Sequence, residues 1–502
     1  MSAHEQRGSA LLWILLFAVV GRLWLMPLPS SFWVDETATA FIARYGAAHP
    51  SVSASPEFAQ SIYYPVAHAV DSIAGFSEVA YRLPSVLLLG AALALTALIA
   101  ARLTDADSAW LAAFACLAIG GFNFQAADAR PYALGTAVMA AAMWFLIRWL
   151  DNNRWRDAVG FVIFAALLWP VHPVYWPFYA VFAAYACARL AWRETPASWM
   201  RAGAVFAVLG AVLVPEALRV LALRQDALKH VIAAPPRWRD LFYSLIPALI
   251  LACLAGSWLL RILRRATPDA PRMTRSSLLL IVLWWCWTPV CLFAFSHLTR
   301  VSLFVPRYYS LALPGAAMLA ATLVTRCLPR RLWRPAAAVI GIAALALSGQ
   351  WTRIWPEHTH QDWRGAAHTL NQLAPDSATP IIFPSPFIEG RWPTWHPGYR
   401  LPSVLYAPAA VYPLRGKVWP FPRDLSTAAE QFAAETTRAT LAPSGRFYVY
   451  AHSNDAQVWD RWFRSRPELA GWSMQQRGDF GDVVIEEFAP NSSAPQKISG
   501  SR

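Results

Sequence analysis

The sequence predicts a polytopic α-helical membrane protein of about eleven transmembrane helices, followed by a small C-terminal extracytoplasmic α/β domain. Three observations carry this. Of 502 residues, 57% are hydrophobic and only 15% charged, against about 45–50% and about 25% in soluble chains. The apolar residues are gathered in tracts close to the roughly 20 residues that cross a bilayer, which rules out a water-soluble protein. Beyond residue 350 the tracts stop and a balanced, mixed sequence begins: residues 351–502 carry 15 basic and 14 acidic groups, whereas residues 1–350 carry 28 and 16.

The tracts lie near residues 9–27, 83–101, 108–124, 131–150, 157–170, 173–190, 202–221, 241–260, 276–295, 308–325 and 335–350. The first has no small-residue cleavage site, so it is expected to stay as an anchor. Residues 157–190 are too long for one span. Trp169-Pro170-Val171-His172-Pro173 interrupts them, because proline removes a helix donor and crowds the preceding turn. Read as a hairpin, this stretch gives the cytoplasmic excess of arginine that the positive-inside rule demands. The N-terminus and the loops 261–275 and 326–334 then face the cytoplasm. The loop 28–82, the turn 125–130, the loop 224–240 and the tail lie outside. This makes residues 1–350 a membrane domain in a plasma (inner) membrane and 351–502 a periplasmic or extracytoplasmic domain.

In the tail, apolar runs at 380–383, 447–451 and 483–488 read as strands. Residues 362–373, 424–441 and 456–469 read as helices, the first two opened by an aspartate cap. All six cysteines precede residue 330, so no disulfide framework holds the tail. The basic excess sits in short loops between apolar tracts, and no basic stripe with interleaved aromatics marks a nucleic-acid surface. No phosphate-cradling glycine loop is present, so no nucleotide cofactor is expected.

Nine acids of the membrane half fall outside: Asp35, Glu36, Glu57, Asp71, Glu78, Asp128, Glu216, Asp226 and Asp240. None needs to lie at the bilayer centre, which argues against an ion-coupled pump. Asp128 sits in a very short turn beside Arg130, and Arg82 and Arg307 mark two further tract ends. Arginine forks suit phosphate, and a carboxylate nearby suits removal of a proton from an attacking hydroxyl. A lipid phosphate would place its headgroup at this depth with its chain in the bilayer. Each of these residues read alone is also an ordinary loop charge or interfacial anchor.

Five runs occur in order: Phe32-Trp33-Val34-Asp35-Glu36, Tyr81-Arg82-Leu83-Pro84-Ser85, Asp128-Ala129-Arg130-Pro131-Tyr132-Ala133-Leu134, Pro306-Arg307-Tyr308-Tyr309 and Asp362-Trp363-Arg364-Gly365. Across residues 10–375 they resemble the motifs of bacterial GT-C membrane glycosyltransferases, more narrowly the group with protein O-mannosyltransferases and lipid A aminoarabinose transferases. The resemblance implies inverting transfer of a sugar from a polyprenyl-phosphate donor to an acceptor hydroxyl that the sequence does not identify. By it, Asp35 is the general base, and Asp128 orients the acceptor or holds a divalent metal. Arg82, Arg130 and Arg307 hold the donor phosphate or support its surroundings, with Glu36, Tyr132 and Tyr308 as further substrate-binding candidates. Lys229, in an outer loop with Arg224, Arg237 and Arg239, is a candidate for the phosphate or for anionic headgroups.

The sequence departs from this group where a His-Pro-Pro or Pro-Pro-Leu-Tyr-Tyr segment is usual; Gln60-Ser61-Ile62-Tyr63-Tyr64-Pro65 stands there instead. The candidate ligands for a divalent metal are then Glu36, Asp128 and His172, the last also readable as a plain turn residue; Glu357, His358 and His360 form a second, weaker set. Two other classes compete: a non-catalytic lipid-linked sugar flippase or polysaccharide exporter, and a sensor with a receptor-like tail. A flippase needs polar groups along a path through the membrane, and a sensor needs no ordered set of acids and arginines.

Overall fold

The computed structural model describes residues 3–55, 58, 60–222, 234–263, 273–299 and 301–491, with side chains from residue 9. Contacts divide the chain into two units. The first comprises residues 1–29, 60–66 and 79–358; the second comprises 30–59, 67–78 and the chain from 359 onward. Most of the loop 28–82 is therefore grouped with the tail rather than with the apolar helices.

The first unit is helical. Among the described residues, six helices are long and apolar enough to cross a membrane: Glu78–Leu103, Tyr132–Asn152, Trp199–Ala222, Arg275–Thr299, Pro306–Cys327 and Arg330–Ser348. A seventh arises if Trp238–Ser244 and Pro247–Leu263, bent by 55°, count together. The other expected tracts are helical but shorter. Residues 108–124 break at Ile119, whose extended backbone separates Ser108–Leu117 from Gly120–Phe124. The proline-broken hairpin is present as Trp155–Val171, then His172 in extended conformation, a 3-10 turn Pro173–Tyr175 and the helix Phe178–Ala191. At 1.5 Å per residue, 17 and 14 residues reach about 26 and 21 Å, less than the roughly 30 Å of a hydrocarbon core. Among the described residues, six or seven helices have full spanning length, and the other expected tracts are shorter helices.

Helix ends in this unit are tied by ion pairs. Asp151 accepts from Arg102 and from Arg189, both at 2.7 Å, so one carboxylate joins three helices. Gly315 lets its helix approach another closely: a Cβ there would lie 2.5 Å from the Trp285 backbone nitrogen. Small residues at such crossings are how apolar helices gain packing contact.

The second unit carries a five-stranded mixed sheet of order β2-β1-β3-β5-β4. The strands are β1 (Pro380–Pro384), β2 (Lys417–Phe421), β3 (Phe447–His452), β4 (Trp472–Gln476) and β5 (Val483–Pro490). β1 runs parallel to β2 and β3, while β5 runs antiparallel to β3 and β4. The three strands expected from sequence are its centre. Phe421, Phe447, Trp459, Phe463 and Phe488 fill the core against one face. Asp362 caps the helix Trp363–Leu373 by accepting from Gly365 N–H at 2.8 Å. The second tail helix starts later than expected: Ser426, not Asp424, caps Thr427–Thr436.

Candidate active site

In the first unit, residues from distant tracts gather around the turn before helix Tyr132–Asn152. Asp128 is buried, its backbone carbonyl accepts from Ser85 Oγ at 2.6 Å, and its carboxylate lies 4.0 Å from His358 Nε2. The His358 ring lies against Phe124, tilted by 36° with centroids 4.2 Å apart. Burial, and then the Arg82 charge, hold His358 well below the usual histidine range, so it is a neutral ring. Arg82 itself is fully buried and donates to the Leu28 carbonyl at 2.8 Å.

Near Asp128, whose charge acts on buried Tyr175, three tyrosines surround His172. Tyr308, Tyr175 and Tyr132 have centroids 5.0, 5.3 and 5.9 Å from the His172 ring. Arg307 lies 5.7 Å over Tyr308, and Arg130 donates to Tyr64 Oη at 3.3 Å. The charges of Arg130 and Arg307 both act on His172. Tyr132, Tyr175 and Ser310 are buried, while His172, Arg130, Arg307 and Tyr308 are partly exposed. Gly135 makes room for this: a Cβ there would strike the Tyr175 ring at 2.3 Å. The chemical capacity of the arrangement is to hold an anion between two guanidinium groups beside a carboxylate.

Asp35 and Glu36 belong to the second unit, in the first turn of helix Val34–Tyr45, where free backbone N–H groups favour negative charge. Asp35 is half-buried; Glu36 is fully buried and accepts from Trp33 N–H at 3.2 Å. The tail fixes this turn. Val34 N–H donates to Gln361 Oε1 at 3.0 Å, and so does the Trp363 indole, at 3.1 Å. Phe32 N–H donates to Tyr412 Oη, which donates in turn to Glu78, both at 3.0 Å. Arg364 donates from its backbone to Ser31 Oγ and from its guanidinium to Glu78.

No protein-family model and no curated protein matches the sequence. Two solved structures match along nearly their whole length. The crystal structure of ArnT from Cupriavidus metallidurans bound to undecaprenyl phosphate aligns with a TM-score of 0.54 at 13% identity, covering 97% of this chain and 98% of that one. The apo state of the same enzyme aligns with a TM-score of 0.53 at 14% identity, covering 95% and 98%. The chain has the GT-C fold.

Within that GT-C fold, Asp128, Arg82, Arg130, Tyr132, His172, Arg307 and Tyr308 fall in the first unit, and Asp35 and Glu36 in the second. Lys229, Arg224, Glu57 and Asp226 lie outside the described residues. Of the weaker set, Glu357 pairs with Arg353, His358 belongs to the first unit and His360 to the second. His358 faces Asp128 instead, and a buried carboxylate and imidazole at this separation are a fitting donor pair for a divalent cation. Among the described residues, no cluster of metal-type ligands includes His172. Sequence reasoning missed Tyr175, Ser310, Tyr64, Gln361 and Tyr412. Tyr64 and Tyr175 were within reach, standing in the Tyr63-Tyr64-Pro65 segment and in the turn that follows His172.

Proposed function

We propose that this chain is a membrane glycosyltransferase that moves a sugar from a polyprenyl-phosphate donor to an acceptor hydroxyl, with inversion, on the outer face of the inner membrane. The observation that carries the reading is the convergence of Arg130 and Arg307, 177 positions apart in the sequence, on the His172 ring, next to Tyr175 on which buried Asp128 also acts. Asp35 takes the proton of the acceptor hydroxyl as its oxygen bonds to the anomeric carbon. The bond from that carbon to the phosphate oxygen breaks, and the lipid phosphate leaves as an anion. Such a leaving group needs positive charge rather than a protonating acid, which Arg130 and Arg307 supply. Asp128 orients the acceptor. A divalent cation on Asp128 and His358, when bound, would add charge stabilisation; Glu36 stays assigned to metal or substrate from the sequence resemblance.

An amphiphilic donor is further supported by two adjoining spaces in the first unit. An apolar cavity of about 730 Å³ is lined by Leu249, Gly256, Leu260, Leu328, Val339 and Ile340 among others. Gly120 and Ser348 border both it and a smaller space of about 150 Å³ walled by Arg22, Asn123 and His358. The structurally similar ArnT was crystallised with undecaprenyl phosphate.

The test is transfer from a purified polyprenyl-phosphate sugar in detergent. Asp35→Asn is expected to lower kcat by about 100-fold or more, the span of general-base catalysis, while folding and donor affinity stay as in the wild type. Full turnover by Asp35→Asn would reject Asp35 as the base. Donor binding and membrane passage without any labelled acceptor would leave the flippase reading in its place.

A further inference from the structure

His172 caps the 3-10 turn Pro173–Tyr175: its Nδ1 accepts from Val174 N–H at 3.3 Å. An imidazole nitrogen that accepts cannot carry a proton, so in the neutral ring the proton sits on Nε2, which is a donor. Two features oppose a second proton. Protonated Nδ1 would confront the Val174 N–H, and the ring already lies in the field of Arg130 and Arg307. The same guanidinium groups repel a metal cation, and the nitrogen facing the turn is occupied. Beside the ring, the buried Tyr175 hydroxyl faces the buried Ser310 hydroxyl.

We propose that His172 is a phosphate-binding residue, a fixed neutral Nε2–H donor that works with Arg130 and Arg307 in one anion pocket, and not a metal ligand. This rests on the reading above that the pocket receives the phosphate of a polyprenyl phosphate. Neutrality has a use. The ring contributes a directed donor without a third full charge, so the leaving phosphate is recognised by shape yet released after transfer.

Asparagine and glutamine separate the two ring nitrogens. His172→Asn keeps an acceptor for the Val174 N–H and so preserves the turn, but cannot reach the Nε2 position. His172→Gln places an amide donor there. The experiment measures binding of a polyprenyl phosphate to the detergent-purified full chain by native mass spectrometry, with thermal unfolding as a control for folding and elemental analysis for metal. His172→Asn is expected to bind about 10-fold more weakly or worse, the size of a hydrogen bond to a charged group. His172→Gln should recover most of that, and neither should alter metal content. Wild-type affinity in a folded His172→Asn protein, or loss of a bound metal in either variant, overturns the assignment. If Arg130→Gln and Arg307→Gln lose binding while His172→Asn does not, the phosphate pocket stands and only the role of His172 falls. If the wild type binds no polyprenyl phosphate, both readings fall together.

Discussion

Asp35 is held in place by residues that belong to no catalytic motif. The entry to its helix is fixed from the tail, where Gln361 accepts the Val34 N–H and the Trp363 indole at once, and where Tyr412 links the Phe32 N–H to Glu78. The Asp362-Trp363-Arg364 run, read from sequence only as a family mark, is thereby given a physical task within the second unit. Gln361→Ala removes the acceptor of a backbone N–H at the position next to Asp35. On the proposal that Asp35 is the base, the expected outcome is a kcat about 10-fold lower with unchanged polyprenyl-phosphate affinity, since a small displacement of a reacting group is costly while binding elsewhere is untouched. Steady-state kinetics alongside direct binding would show it. Arg82 makes the complementary point. A fully buried guanidinium donating to the Leu28 carbonyl is held there by its hydrogen bonds, and removing a buried charge partner leaves a carbonyl unsatisfied.

At the scale of elements, the central strands β1, β3 and β5 were legible because their apolar runs are buried. The edges β2 and β4 were not. Lys417–Phe421 contains Pro420, which argues against a strand in sequence yet suits an edge, where one missing donor costs nothing. Trp472–Gln476 is mostly polar. Strand β5 also carries a buried acid: Glu486 Oε2 has no hydrogen-bond partner among the described residues. Its pKa is raised to about 7, first by burial and then by Asp460, with Arg464 opposing. The sign follows from linkage. Between its ordinary value of 4.5 and about 7 the folded chain holds the proton more tightly than the unfolded chain. Stability is therefore present below that window and lost as pH rises through it. Glu486→Gln, which cannot ionise, should raise the thermal unfolding temperature of the tail by a few degrees at pH 8, with the gain fading below pH 4.5. Unfolding scans at the two pH values measure the difference.

For the whole molecule, the helices of the first unit create an apolar space whose size suits part of a prenyl chain. Gly256 lies on its wall, and a Cβ there meets nothing within 4 Å, so a side chain can start from this position without a clash. Gly256→Trp is expected to lower affinity for long polyprenyl phosphates several-fold while leaving that for a two- or three-unit prenyl phosphate near the wild-type value. Competition binding across chain lengths tests this, and equal loss at every length would show that the space does not hold the lipid chain.

Hydropathy by itself determined that this is a membrane protein with a folded polar tail, because burying roughly 20 apolar residues in succession has few other solutions. It located the break at Trp169–Pro173 for the same kind of local reason, a missing donor at proline. It named Asp128, Arg130 and Arg307 as groups to watch. Only the tertiary structure decided how many helices reach full spanning length, since a single extended residue such as Ile119 divides a uniformly apolar tract. Only it placed Arg130, Arg307 and Tyr175 about His172, Ser310 beside Tyr175, and His358 beside Asp128. Those neighbours come from helices far apart in the chain, and a one-dimensional pattern records spacing along the backbone but not which distant faces meet.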